Sequence, residues 1–172
     1  MDITLPMKKS DIALLRVGDK VTLTGEILVM RDAAHKRYYD TVKISEKPPV
    51  DIAGESIYYM GPTPARDGNV IGSAGPTTSS RMDKYTPEFL GMGLCGMIGK
   101  GARSGEVKRA IKENGAVYFA AVGGCGALLS KCIEKNTVIC YEDLGTEAVR
   151  RIYVRSFPCI VAVDSLGNDI YE

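Results

Sequence analysis

Gly75-Pro76-Thr77-Thr78-Ser79-Ser80-Arg81-Met82-Asp83 is the part of this chain best supplied with groups that bind anions. It sets four hydroxyls, those of Thr77, Thr78, Ser79 and Ser80, against an expected helix start, with one guanidinium in the first turn. Backbone N–H groups at a helix N-terminus, with the helix dipole behind them, attract negative charge. Arg81 adds a planar, two-pronged grip suited to a carboxylate. The same segment also fits a serine-rich helix cap beside a surface arginine, so it needs other groups before it reads as a site. Two further cations supply them. Arg31 follows Val29-Met30 and Lys100 follows Met97-Ile98-Gly99, so both fall where expected strands end, the usual place for binding groups in an α/β sheet. Arg31, Arg81 and Lys100 together would neutralise a ligand carrying two negative charges. His35, the chain's single histidine, lies four residues past Arg31 on an expected short helix. It would either orient a substrate carboxylate or serve as a structural histidine.

These groups need elements to hold them. Period-two alternation and β-branched residues predict strands over 21–29, 56–60, 94–98, 116–122, 137–141, 152–157 and 158–163. Helices are expected over 33–36, capped by Asp32, over 83–90, over 105–114, and from the glycines at 123–126 to about residue 133. Ser104 is the expected cap of the third and Gly115 its stop. Strands that alternate with helices between 56 and 141, with β-rich ends, give a mixed α/β fold: one sheet layered with helices in a single domain, 1–172.

Three glycine-rich runs imitate nucleotide sites. Gly91-Met92-Gly93-Leu94-Cys95-Gly96 has the spelling of a dinucleotide fingerprint, but a helix precedes it and a strand lies inside it, the reverse of what the fingerprint needs. Gly96-Met97-Ile98-Gly99-Lys100-Gly101 lacks the first glycine and the terminal Ser or Thr of a phosphate loop. Val122-Gly123-Gly124-Cys125-Gly126-Ala127 does follow a strand and precede a helix, with Glu142-Asp143 ending the next strand. Leu129 stands where a third small residue belongs, so a nucleotide-binding module is a minor reading beside glycines that let a helix pack on a sheet.

Composition removes other classes. Lys plus Arg is 22 against 21 Asp plus Glu, so no basic surface argues for nucleic acid or an anionic membrane. The N-terminus has no signal-peptide pattern, and no apolar run approaches the roughly 20 residues of a membrane span, so a soluble, cytoplasmic chain is expected. Cys95, Cys125, Cys132, Cys140 and Cys159 are odd in number and include no Cys-x-x-Cys, which reads as free thiols rather than disulfides or iron–sulfur ligands.

Gly75-Pro76-Thr77-Thr78-x-x-Arg81-Met82-Asp83, with Lys100-Gly101 some twenty residues on, resembles the β subunit of class I iron–sulfur fumarase and of L(+)-tartrate dehydratase. Arg31-Asp32-x-Ala34-His35, Tyr59-x-Gly61-Pro62-Thr63, Gly123-Gly124 and Phe157-Pro158-x-Ile160-x-x-x-Asp164 resemble the same family, so nearly the whole chain is covered. The resemblance implies a swivelling β/β/α domain and a free-standing β subunit rather than the tail of a fused enzyme. It implies a separate α subunit whose cysteines hold a [4Fe–4S] cluster, none being bound by this chain, and it admits a dimer of such heterodimers. It implies reversible dehydration of a 2-hydroxy dicarboxylate: malate to fumarate first, L(+)-tartrate to oxaloacetate second. Arg31, Arg81 and Lys100 would hold carboxylates with Thr78 and His35 beside them, and Thr77 would be the proton-transfer group, its alkoxide stabilised by Arg81 and Lys100. A non-catalytic anion-binding domain remains the alternative from another class.

Overall fold

The protein is described by a computed structural model over residues 1–121 and 125–172. β1 (Asp2–Thr4) lies parallel to the early half of β2 (Lys20–Val29), and the end of β2 pairs with β3 (Ser56–Tyr58). From there β4 (Gly96–Gly99) and β5 (Val117–Ala120) continue in parallel. The last strand reverses the direction. β7 (Val149–Val163) runs antiparallel to β2 along most of its length and antiparallel to β5 at its C-terminal end, so β2-β3-β4-β5-β7 closes on itself. β6 (Ile133–Cys140) borders the first part of β7 as an edge. Among the described residues, seven strands make one hydrogen-bonded sheet.

Strand residues separate by parity into two apolar layers. Ile27, Val29, Tyr58, Ile98, Val117 and Phe119 join Ile12, Leu15 and Phe157 in one. Leu28, Ile57, Met97 and Tyr118 face the other, under α2 (Asp32–Lys43), α3 (Thr86–Gly91) and α4 (Gly105–Asn114). Parallel strands covered on both faces carry near-continuous apolar runs, which is why β3 and β4 are buried at every position. Two shorter helices, α1 (Lys9–Ile12) before β2 and α5 (Gly126–Ser130) before β6, complete the set.

α4 matches the sequence reading at both ends. Ser104 Oγ accepts from Val107 N at 3.3 Å, and Gly115 ends the helix in the left-handed region at φ 60°. Other elements differ. α2 runs twelve residues, to Lys43, and its N-cap is Arg31 rather than Asp32. The helix expected over 83–90 is the six-residue α3, Thr86–Gly91, and a 3-10 turn at Ser79–Met82 precedes it. β7 passes unbroken through Pro158, where two strands were expected. β1 and α1 carried no sequence expectation. The Gly123-Gly124 pair lies outside the described residues. Among the described residues, no helix is long and apolar enough to cross a membrane.

Candidate functional site

β2, β3 and β4 point the same way, so their C-terminal ends meet at one edge of the sheet. Arg31 stands two residues past β2, Gly61 three past β3 and Lys100 directly after β4. The Gly75–Arg81 segment is laid across these ends by backbone hydrogen bonds. Thr77 N donates to Tyr59 O at 2.7 Å, Ser79 N donates to Lys100 O at 2.9 Å, and Thr78 bridges Lys100 in parallel. The result is a cleft of about 410 Å³ lined by Arg31, Thr77, Thr78, Arg81 and Lys100, with Gly61, Gly75 and Gly126 among its walls. Hollows of about 500 and 580 Å³ adjoin it at Thr63. The cleft is singled out by its chemistry rather than its size: among the described residues, three cations and four hydroxyls (Thr63, Ser73, Thr77 and Thr78) line it, and no carboxylate does.

The carboxylates stand behind the arginines. Glu147 Oε1 lies 3.2 Å from Arg31 Nε, and Arg81 Nε donates to Asp32 Oδ1 at 2.8 Å. Lys100 has no carboxylate partner among the described residues. Arg31 Nη1 donates to Thr77 Oγ1 at 3.3 Å, and Thr77 is 8% exposed. The cation at hydrogen-bonding distance from that hydroxyl is therefore Arg31, where the sequence reading assigned the task to Arg81 and Lys100.

Two glycines make the approach feasible. A Cβ at Gly61 would come within 2.7 Å of Arg31 Cζ, and a Cβ at Gly99 within 2.0 Å of Ser79 Oγ. Beneath the cleft, Arg103 is buried with its Nε donating to Asp83 Oδ1 at 2.7 Å and its Nη2 to Thr86 Oγ1 at 2.7 Å. The second oxygen of Asp83 accepts from Ser104 N at 2.8 Å. Tyr118 hydrogen-bonds Ser79 Oγ at 2.9 Å and donates to Gly101 O at 2.8 Å. These contacts lock the segment that carries Arg81 to the one that carries Lys100, and they account for the Asp83 that closes the Thr77–Asp83 motif.

His35 requires a correction. It is fully buried and does not line the cleft. Its ring stacks on Phe89 at 5.1 Å and meets Tyr59 edge-on at 5.3 Å. Burial drives its pKa down to about 3, so the ring is neutral, and Nδ1 carries the proton it donates to Arg31 O at 3.1 Å. Amphipathic spacing from Arg31 put His35 on the inward face of α2, so its contact with the site is through the Arg31 backbone alone. The expected helix dipole is also missing, because a four-residue 3-10 turn has no macrodipole to aim. Of the four hydroxyls, Thr77 and Thr78 line the cleft, while Ser79 is turned into the core. Sequence reasoning missed Glu147 altogether: one acid in an acidic stretch 116 residues from its partner gives no local signal. Arg103, three residues past Lys100, had the positional cue but no pattern to mark it.

The profile of the fumarase C-terminus family matches residues 1–172. The chain belongs to the fumarase C-terminus family. A protein of Methanocaldococcus jannaschii named, provisionally, L(+)-tartrate dehydratase subunit beta is 40% identical, over 96% of this chain and 88% of its own. Fumarate hydratase 2 of Leishmania major is 37% identical over all of this chain and 31% of its own, and the aerobic class I fumarate hydratase of Escherichia coli K12 is 35% identical over all of this chain and 32% of its own. The chain thus spans about a third of the fumarate hydratases it matches and most of the tartrate dehydratase subunit. These members of the fumarase C-terminus family are hydro-lyases by name. Among the described residues, no three His, Cys, Asp or Glu side chains converge as a metal site.

Proposed function

We propose that this chain is the β subunit of a two-component hydro-lyase that interconverts a 2-hydroxy dicarboxylate and its dehydrated product, with malate and fumarate as the preferred pair. The observation that carries the reading is the convergence of Arg31, Arg81 and Lys100 on a cleft walled by Thr77 and Thr78, with no acid among the described residues of its lining. A dianion entering it meets two guanidinium edges and one ammonium, of which Arg31 is partly buried and Arg81 and Lys100 are exposed, and each can make a charge-assisted hydrogen bond.

The five cysteines of this chain include no Cys-x-x-Cys, and in the proposal the [4Fe–4S] cluster belongs to an α subunit. When bound there, it supplies a Lewis acid for the substrate hydroxyl. This chain's part is to hold the two carboxylates and to move the proton on the carbon beside one of them. In dehydration Thr77 acts as its alkoxide: the proton passes to Thr77 Oγ1, and the C–H pair becomes the new double bond as the C–O bond breaks. The departing hydroxide becomes water by taking up a proton that Thr77 returns through solvent, which restores the alkoxide. Hydration runs the same steps in reverse. A threonine hydroxyl is a weak base, and Arg31, donating at 3.3 Å, stabilises the charge it must carry.

Reconstitution with a cluster-bearing α subunit tests the reading. Malate dehydration is expected from the mixture and from neither chain alone, and Arg81→Ala is expected to lower kcat/KM by about a hundredfold or more, as losing a charged hydrogen bond in the transition state does. Full turnover with Arg81→Ala, or no turnover in the mixture, rejects it. A second reading within the same chemistry is dehydration of L(+)-tartrate to oxaloacetate. It is favoured by the relative named tartrate dehydratase subunit beta, which this chain matches over most of both lengths. A panel of malate, fumarate and both tartrate enantiomers on the reconstituted pair separates the two.

A further inference from the structure

Glu147 ends a polar 3-10 stretch (Glu142–Glu147) between β6 and β7, far in sequence from every cleft residue. Its Oε1 accepts from the Ala33 backbone N–H at 3.3 Å and lies 3.2 Å from the buried Arg31 Nε, an ion-pair contact in which the Nε–H itself makes no hydrogen bond. Arg31 is the N-cap of that helix and provides no side-chain cap. Glu147 therefore serves the helix from a distance, meeting one of its orphan donors with a charge that suits the positive end of the dipole.

The same contact constrains Arg31. A guanidinium presents one edge through Nε and another through its two Nη atoms. Glu147 takes the Nε side, which turns Nη1 to Thr77 Oγ1, and Gly61 packs against the plane at a distance that admits no Cβ. Both side chains of the Arg31–Glu147 pair are only 26% exposed, so the pair is fixed more firmly than a solvated surface bridge. Arg81 also has a carboxylate on its Nε, there as a hydrogen bond to Asp32 Oδ1 at 2.8 Å on a more exposed side chain.

We propose that Glu147 is a positioning residue for the hydro-lyase reaction: it fixes the plane of Arg31 so that the Nη edge faces Thr77 and the substrate. The proposal rests on the hydro-lyase reading for its kinetic part and on the structure of this chain alone for its spectroscopic part. A purely structural role, as a remote helix cap, would leave catalysis unaltered at equal folded fraction.

Three variants in the reconstituted complex separate the roles. Glu147→Ala is expected to lower kcat/KM about tenfold or more, because misplacing a positioned group by an ångström is costly. Glu147→Gln keeps the acceptor for the Ala33 N–H but removes the charge paired with Arg31, so it is expected to lose at least about threefold in kcat/KM, whereas a pure helix cap would be restored by it. In an Arg31→Lys background, which has no Nε edge of this kind, Glu147→Ala should change kcat/KM by less than about twofold, since coupled residues are not additive. An equal loss in both backgrounds overturns the proposal.

The spectroscopic arm uses the full chain without its partner. The Arg31 Nε–H resonance, assigned by its absence in Arg31→Lys, is expected to be displaced and exchange-protected in wild type and to move to the free-arginine position in Glu147→Ala. A resonance that stays put in Glu147→Ala overturns the proposal even if the enzyme is a hydro-lyase. If the wild-type complex shows no hydro-lyase activity, the functional reading fails and the resonance alone decides whether Glu147 holds Arg31.

Discussion

Gly61 has no side chain, yet it decides where Arg31 can stand. A Cβ there would lie 2.7 Å from both Cζ and Nε of Arg31, so Gly61→Ala must push the guanidinium away. The displaced atoms belong to the end of a half-buried side chain, so the fold should lose no more than about 1 kcal/mol. Turnover in the reconstituted enzyme should fall about tenfold or more, because Nη1 would leave Thr77. Steady-state kinetics beside urea denaturation checks both halves, and equal kcat/KM for Gly61→Ala and wild type would contradict it. His35 gives a prediction of a different kind. Its pKa falls from 6.5 unfolded to about 3 folded, through burial. The unfolded state therefore binds a proton that the native state refuses between those values, and stability drops as pH falls through that window by at most about 1.4 kcal/mol per pH unit. Above pH 6.5 the effect vanishes. Urea denaturation of wild type and His35→Gln from pH 7.5 to 4.5 isolates it: the wild-type advantage should shrink steadily below pH 6.5, and a pH-independent difference would mean that His35 takes up its proton equally in the folded and unfolded states.

Asp83 and Arg103 tie the turn before α3 to the loop before α4, and they show what an element needs beyond its own propensity. The Arg103 side chain is fully buried and that of Asp83 nearly so, so removing one partner strands the other as an uncompensated charge. Asp83→Ala is expected to cost roughly 3–5 kcal/mol, whereas Asp83→Leu with Arg103→Met should recover most of that, because a buried pair gains little over apolar packing. Activity should not recover with stability, since Lys100 and Arg81 would no longer share a brace. Denaturation and kinetics on the two variants distinguish the pair's structural and positioning roles. The sequence made α4 legible because Ser104 and Gly115 are local signals at its two ends, and it made β2 legible through alternation. It hid what depends on distant partners. The residues around Pro158 pair with β2 but lie between the β6 partners, which end at Val154, and the β5 partners, which begin at Ile160. The missing N–H therefore costs little there, and β7 continues where a proline suggested a break. The site was legible in its cations and threonines, since the motif holds Thr77 and Arg81 together. Glu147 and the burial of His35 were not, because each depends on which face of a folded element meets another.

At the scale of the molecule, the charges nearly cancel: 22 basic and 21 acidic side chains leave +1. A dianionic ligand is thus not steered from afar, and its attraction must arise inside the cleft. There Arg31 and Arg81 are each backed by a carboxylate, and Lys100 alone has none among the described residues. The local excess positive charge is accordingly small and lies within a few ångströms of the bound ligand, closer than the Debye length of about 10 Å at 0.1 M salt. Screening acts mainly beyond that length. Raising NaCl from about 50 to 500 mM should therefore raise the KM of the reconstituted enzyme for malate only by about threefold, with kcat unchanged, against the tenfold-or-larger losses typical of electrostatically steered association. Lys100→Met should remove most of the remaining salt dependence, because it deletes the cation that no acid balances. A steep salt dependence in wild type that survives in Lys100→Met would place the attracting field outside the cleft.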